Sequence, residues 1–278
     1  MIHILLSTYN GERYLAEQID SIVAQTYTEW RLFVRDDGSV DQTMHILEHY
    51  AKQDNRIRII DNGGEKKGAM RSFEYLLTQC DGAEYYAFCD QDDVWKPEKL
   101  AICVNEIQLQ EKRFPDIPIV VHTDLQVVDE QLHKVAPSFW QYSNIRPDLL
   151  DTHIRYMAIC NSVTGCAMLF NRYARQVALP ISEKAYMHDA WIAIQTMLCG
   201  GKVIPIYQTP IAYRQHLNNT LGAVPYTIFG RTFAQRLEDA KRSYRMSHPA
   251  VYSNRTRFIL WKIRYAIHRF LSSKTHVS

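Results

Sequence analysis

Three carboxylates within four residues, Asp90, Asp92 and Asp93, follow the run Tyr85-Tyr86-Ala87-Phe88-Cys89. The run is short, aromatic and uncharged, so it reads as a buried strand. Lys96-Pro97, just beyond the acids, reads as the opening of a helix, with Pro97 suited to its first turn. Acids crowded at the end of a buried strand repel one another. A divalent cation relieves that repulsion, and hard oxygen ligands favour Mg2+ or Mn2+. Mg2+ is usually held by one or two carboxylates together with substrate phosphates, so the pattern points to a phosphate-bearing ligand. The plainer alternative is a solvated acidic turn that caps the next helix.

Two other polar stretches stand in equivalent places. Ser7-Thr8-Tyr9-Asn10-Gly11 follows an apolar strand over 2–6, and Asp36-Asp37-Gly38-Ser39 follows a second over 30–34. A helix after Gly11 carries Leu15, Ile19, Ile22 and Val23 on one face. Asp41 is placed to cap a helix bearing Met44, Leu47 and Tyr50. A third strand is expected over 56–60, and a helix from about Gly68 buries Phe73, Leu76 and Leu77 before the strand that carries the acids. The order β-α-β-α-β-α-β predicts a mostly parallel sheet with helices on both faces. Ligands of such sheets bind at the carboxyl ends of the strands, where all three polar loops fall. Beyond Arg113 the alternation weakens. Strands are expected over 117–122, 126–128, 166–170, 203–206 and 211–214, a helix over 189–199, and a loop or short helices over 136–151.

Taken in order, these loops resemble glycosyltransferase family two, which has the GT-A fold. The matching residues are Ser7-Thr8-Tyr9-Asn10-Gly11-Glu12, Arg35-Asp36-Asp37-Gly38-Ser39, Asp90-Gln91-Asp92-Asp93 and Met187-His188-Asp189. Thr164-Gly165-Cys166 and Tyr213-Arg214-Gln215-His216-Leu217-Asn218-Asn219 look like the bacterial rhamnosyltransferase-like branch. The resemblance covers about residues 1–220. It implies transfer of a sugar from a nucleotide-sugar donor to an acceptor hydroxyl, with the departing diphosphate stabilised by a metal ion. By resemblance, Asp90 and Asp92 form the Asp-x-Asp metal motif, with Asp92 the first choice for direct ligation. Asp93 then touches the ribose or caps the next helix. Thr8, Tyr9, Asn10 and Glu12 belong to the loop that holds the nucleotide, and Gln91 lies in the donor-side acid loop. Asp36 matches the acid that accepts a hydrogen bond from a pyrimidine ring N–H, which selects uracil or thymine. Asp189 occupies the position of the catalytic base; its alternative role is a helix N-cap. His216 matches a further metal or diphosphate ligand, and Arg214 and Arg71 are candidate counter-charges for the diphosphate. The Gln-x-x-Arg-Trp motif of processive synthases is absent from the chain, which implies one sugar added per encounter.

Length sets one large domain or one and a half at 278 residues, and 46% hydrophobic with 22% charged content is ordinary for a globular chain. The division expected is a GT-A catalytic domain over 1–224, with a nucleotide-sugar half over 1–115 and an acceptor half over 116–224, followed by a basic helical tail over 225–278. No apolar run reaches the ~20 residues of a membrane span, and the amino terminus lacks the pattern of a signal peptide, so a cytoplasmic protein is expected. The six cysteines form no CxxC pair, which argues against a zinc ribbon or a disulfide framework. Residues 225–278 hold eleven Lys/Arg against two acids, a net of +9, so with +2 overall the first 224 carry −7. As a helix over 255–271, the tail puts Ile259, Ile263, Ala266, Ile267 and Phe270 on one face, flanked by Leu260 and Leu271. That pattern suits an anionic membrane surface, on the inner face of the cell membrane, near a lipid-linked saccharide acceptor. Its alternative is that the apolar face packs on the catalytic domain. No motif supports nucleic-acid binding. Two rival functions remain at this level: a sugar nucleotidyltransferase, and a catalytically inactive nucleotide-sugar-binding or membrane scaffold protein.

Overall fold

The computed structural model describes residues 1–61, 63–216, 223, 233–247 and 249–275, without the side chains of 233, 234, 236 and 270–275. Leu217, Asn218 and Asn219 of the expected motif lie outside it. In chain order the first half runs β1 (Ile2–Thr8), α1 (Leu15–Val23), β2 (Trp30–Asp36), α2 (Thr43–Gln53), β3 (Ile57–Ile59), α3 (Gly68–Gln79) and β4 (Tyr85–Cys89). Then come β5 (Val94–Trp95), α4 (Lys99–Arg113), β6 (Ile119–Thr123), β7 (Gln126–Val128) and β8 (Lys134–Ala136). Three one-turn helices follow, α5 (Phe139–Tyr142), α6 (Pro147–Leu150) and α7 (Ile154–Met157). The chain continues through β9 (Met168–Asn171), α8 (Arg172–Ala178), α9 (His188–Leu198), β10 (Lys202–Ile206), β11 (Ile211–Arg214), α10 (Phe233–Ser247) and α11 (Arg255–Thr275).

Seven strands form one sheet in the order β10-β6-β9-β4-β1-β2-β3. All its pairs are parallel except those of β9, which runs antiparallel between β4 and β6. Side chains alternate across it as the period of two requires. Ile2, Ile4 and Leu6 of β1, with Tyr85, Ala87 and Cys89 of β4, enter one core with α1 and α4. Leu5, Tyr86 and Phe88 enter the other with α3, α8 and α9. Both faces are covered, which is why these strands read as continuous apolar runs.

The sheet crosses residue 116 without a break, because β6, β9 and β10 extend the strands of the first half. The tail is also tied in: Met246, Tyr252, Phe258 and Tyr265 share the core that holds Leu150 and Tyr156. A second sheet, β5-β11-β7-β8, lies beyond the carboxyl edge of the first. β5 is a correction to the expected order, since the helix starts at Lys99, after Pro97. Val94-Trp95 pairs antiparallel with Ile211-Ala212, a partner more than a hundred residues away that local propensity does not register.

Candidate active site at the carboxyl edge

Parallel register brings Thr8 opposite Asp36 and Leu6 opposite Cys89, so the three polar loops leave the sheet side by side. The first two are knitted together. Asn10, with φ +46°, donates its N–H to Ser39 Oγ at 2.8 Å, and its Oδ1 accepts from the Val40 N–H at 3.0 Å. Gly11 donates to Thr43 Oγ1 at 2.8 Å, Glu12 donates to Asp41 Oδ2 at 3.1 Å, and Glu12 Oε2 accepts from the Gln42 N–H at 2.8 Å. Asp41 thus serves the start of α2 one position before its cap residue, accepting from the Thr43 N–H at 3.0 Å.

Asp36 anchors this pair of loops. Its Oδ1 accepts from Thr8 Oγ1 at 2.9 Å and Ser39 Oγ at 2.5 Å, and its Oδ2 accepts from the N–H groups of Gly38 at 2.9 Å and Ser39 at 2.8 Å. A carboxylate offers about four acceptor sites, and these four donors fill them. Asp37 is paired with the buried Arg35 at 2.6 Å and accepts from the N–H groups of Lys67 at 2.7 Å and Gly68 at 2.8 Å. Burial alone would raise its pKa, but these bonds outweigh burial and hold it below the usual carboxylate range.

The acid loop joins the two sheets. Gln91 clamps it to the first loop: the Tyr9 N–H donates to Gln91 Oε1 at 2.9 Å, and Gln91 Nε2 donates to the Tyr9 carbonyl at 3.1 Å. The approach is so close that a Cβ on Gly11 would stand 2.4 Å from Gln91 Oε1. Asp92 Oδ2 meets His216 Nε2 at 2.8 Å, and the His216 ring stacks on Tyr14 at 5.1 Å. Asp93 is fully buried. Its Oδ1 accepts from the Arg214 N–H at 3.1 Å, while its Oδ2 has no hydrogen-bonding partner. The ligand atoms of Asp90, Asp93 and Cys166 lie within 4.8 Å of one another. Burial, then repulsion from Asp92 and Asp189, pushes Asp90 up to about 7. Burial, then Asp92 and Asp90, raises Asp93 as well.

Asp189 arrives from the far side of the sheet. Its helix α9 begins at His188 and is capped from Met187, so Asp189 lies in the first turn and is not the N-cap. Its Oδ1 accepts from the Ala190 N–H at 2.5 Å. Burial lifts its pKa to about 6, against the lowering effect of backbone N–H groups of Ala190 and Gly165. His188 is packed between Phe73 at 4.4 Å and Phe88 at 4.6 Å, and burial pushes it down to about 3, so the imidazole is neutral. A Cβ at Gly165 would reach within 2.8 Å of His188 Nε2. A glycine there lets the turn before β9 approach the start of α9 closely, beside His188 and Asp189.

The structure therefore brings Thr8, Tyr9, Asn10, Asp36, Asp90, Gln91, Asp92, Asp189 and His216 to one edge. Three expected residues are occupied elsewhere. Glu12 bridges to α2. Arg71 bonds Glu74 and the Ile181 carbonyl, the latter at 3.1 Å, which ties α3 to the loop before α9. Arg214 is buried and its guanidinium bonds the Asp92 carbonyl at 2.8 Å, the Glu130 carbonyl at 2.5 Å and the Glu17 carboxylate, with its face over Tyr14 at 4.5 Å. It braces the acid loop from beneath. Tyr14 and Glu17 were not singled out from sequence, and Cys166 entered only as part of the stretch Thr164-Gly165-Cys166, with no role of its own. Tyr14 and Glu17 meet Arg214 and His216 across about two hundred residues, and no local pattern marks such a contact.

A profile described as Glycosyl transferase family 2 matches residues 3–177. An uncharacterized glycosyltransferase of Haemophilus influenzae is 27% identical over 225 residues, covering 79% of this chain and 67% of that protein. The dTDP-rhamnosyl transferase RfbG of Shigella flexneri is 34% identical over 103 residues, 36% of each chain. Among solved structures, S. aureus TarS 1-349 in complex with UDP-GlcNAc superposes with a TM-score of 0.63 at 17% identity, covering 98% of this chain and 72% of that one. The mannosyltransferase PcManGT of Pyrobaculum calidifontis, in complex with GDP-Man and Mn2+, gives 0.59 at 17% identity, covering 90% and 64%. The fold is GT-A, and the chain belongs to glycosyl transferase family 2, a family of glycosyltransferases.

Proposed function

We propose that this chain is an inverting, metal-dependent glycosyltransferase. It moves rhamnose or a related sugar from a dTDP- or UDP-sugar to a hydroxyl of a cell-surface glycan precursor, free or lipid-linked. The observation that carries the reading is that Asp90 stands near both Asp92 and Asp189 at the carboxyl edge, close enough that each repels its charge. One carboxylate for the acceptor and a separate acid group for the diphosphate is what a single displacement requires.

In that displacement the acceptor oxygen bonds to the sugar carbon, the bond to the diphosphate oxygen breaks, and the acceptor proton passes to Asp189. With a pKa near 6, Asp189 is ionised at neutral pH yet basic enough to accept a proton. Asp90, Asp92 and His216 would hold Mg2+ or Mn2+. The crowded acids, and the buried Asp93 Oδ2 that no donor satisfies, suit a hard cation. Such an ion supplies charge stabilisation for the departing diphosphate. The soft Cys166 thiol is a poor ligand for it, so Cys166 supports the acids from behind. Thr8, Tyr9 and Asn10 line the nucleotide side. Recognition of a pyrimidine N–H by Asp36 requires the Thr8 or Ser39 hydroxyl to rotate off the carboxylate. The RfbG match favours dTDP-rhamnose as the first donor to try. A sugar nucleotidyltransferase would want a glycine-rich phosphate loop after β1, where this chain has Ser7-Thr8-Tyr9-Asn10.

The test separates binding from chemistry. Asp189→Asn is expected to bind donor normally, seen as an unchanged thermal shift with donor and Mn2+. Donor at 100 times its dissociation constant stabilises by about 2.7 kcal/mol. Transfer should fall by roughly 10²–10⁴. Loss of donor affinity together with rate would place Asp189 in the donor site and overturn its assignment as base.

A further inference from the structure

Helix α11 packs on the domain with the face opposite to its isoleucine stripe. Phe258 and Tyr265 are buried at 4% exposure each. Trp261 stacks on His153 at 5.0 Å and meets Tyr156 edge-on at 4.9 Å, and Arg269 donates to the Ser143 carbonyl at 3.0 Å. Aromatic rings and an arginine thus make the contact with the catalytic domain. Ile259, Leu260, Ile263 and Ile267 face outward, 53%, 60%, 52% and 54% exposed. The alternative in which this stripe packs on the domain is therefore excluded for these four side chains. Phe270 and Leu271 lie among the side chains that are not described.

At 3.6 residues per turn the four outward side chains fall within about 100° of one another. Arg257 and Arg264 border the stripe on one side, and Arg255 and Lys262 on the other. The helix contains no acid over its whole length. Exposed apolar side chains elsewhere are scattered, whereas four within nine residues on one rigid face form a patch. An apolar stripe between two basic margins fits a surface that is apolar within and anionic at its boundary.

We infer that α11 is a docking helix that lies in the plane of an anionic bilayer, with Ile259, Leu260, Ile263 and Ile267 in the acyl boundary and the flanking cations at the headgroups. A second copy of the chain is the poorer occupant, because pairing two such faces brings basic margins against each other. No helix among the described residues is long and apolar enough to cross a membrane, so the contact is peripheral. The inference rests on the helix and not on the proposed chemistry, and vesicle binding is measured without donor or acceptor.

The experiment is cosedimentation of the full chain with phosphatidylcholine vesicles, with and without phosphatidylglycerol. The chain should pellet with the anionic vesicles and be released as salt rises, since the Debye length is already ~8 Å at physiological strength. The double variant Ile259→Glu/Ile263→Glu should lose binding by roughly tenfold or more, and Arg257→Ala/Arg264→Ala by roughly fivefold per charge. These side chains face water, so the variants should keep the thermal midpoint and circular dichroism of the parent. If they do not fold, Ile263→Ser and Ile267→Ser, assayed singly, replace them. No pelleting with anionic vesicles, equal pelleting with neutral ones, or binding untouched by the substitutions would overturn the inference. So would a dimer in sedimentation velocity without vesicles that Ile263→Glu dissolves, because it would assign the face to self-association.

Discussion

The loop after β2 and the loop after β4 each place buried acids at the same edge of the same sheet, with opposite outcomes. Asp36 and Asp37 are saturated: four donors fill Asp36, and Arg35 with two backbone N–H groups holds Asp37 below the usual range. Asp90 and Asp93 are fed poorly: Asp93 Oδ2 has no partner, the soft Cys166 thiol is shared between the two acids, and burial with repulsion from neighbouring carboxylates raises both. Burial is common to both loops, so burial does not explain the difference. Donor supply does. Acids that the fold satisfies hold the fold together. Acids that it leaves short of donors need something from outside, and that is the physical mark of a site.

Predictions can break this contrast from either side. The largest effect is expected at Asp92. Asp92→Asn should abolish Mn2+- or Mg2+-dependent turnover while the protein remains folded; normal activity there, or full wild-type activity in excess chelator, would remove the metal from the scheme. On the saturated side, Asp37→Ala leaves the Arg35 guanidinium buried and uncompensated. Denaturant titration should show a loss of about 3–5 kcal/mol, the usual cost of breaking a buried pair from one end. A loss under about 1 kcal/mol would mean that water reaches Arg35 and that the pair is not structural.

Next comes pH. A base is needed in its ionised form, so kcat/KM should fall about tenfold per pH unit below the pKa of Asp189, near 6, and level off above it. Stability moves the other way. Because the folded pKa lies above the ordinary 3.8, ionising Asp189 weakens the fold as pH rises from about 4 to about 6. Asp189→Asn should flatten that part of the stability curve, and an unaltered curve would relocate the shift to another group. The smallest effect sharpens the comparison most. Asp90→Asn removes a starved acid and should raise metal-free stability by about 0.5–2 kcal/mol while activity is lost, as at sites where function opposes stability. A destabilised Asp90→Asn would mean that the acid loop is satisfied after all.

Much of the catalytic domain was legible from local pattern. Strands β1, β2 and β4 are continuous apolar runs because both faces are covered. Each ends at a polar loop where the chain leaves the carboxyl edge of the sheet. Asp41 and Asp189 show the limit of such reading. A cap was the reading of Asp41 and the alternative reading of Asp189, and each lies off the cap position, because helix boundaries depend on which backbone donors the neighbouring loops supply. Arg214 shows it more clearly. Its type suited a diphosphate, but Glu17, the Asp92 carbonyl and the Glu130 carbonyl surround it, and none of those partners is near it in sequence.

Sequence by itself determined the α/β alternation, the three polar loops at strand ends, the acids at 90, 92, 93 and 189, and a tail with an excess of positive charge. These follow from short-range rules: side-chain period, turn chemistry and charge count. Only the tertiary structure decided which acids are fed with donors and which are starved, that β9 inserts antiparallel to bring Gly165 against His188, and which face of α11 meets the protein. The donors of Asp36 and Asp37 are partly local, in Arg35, Gly38 and Ser39, but Thr8, Lys67 and Gly68, like the partners in the other two choices, are distant in the chain and brought together by packing. In α11 the pattern left the isoleucine stripe open to a membrane surface or to the domain; the aromatic side of the helix made the ring contacts with His153 and Tyr156, and the stripe was left facing outward.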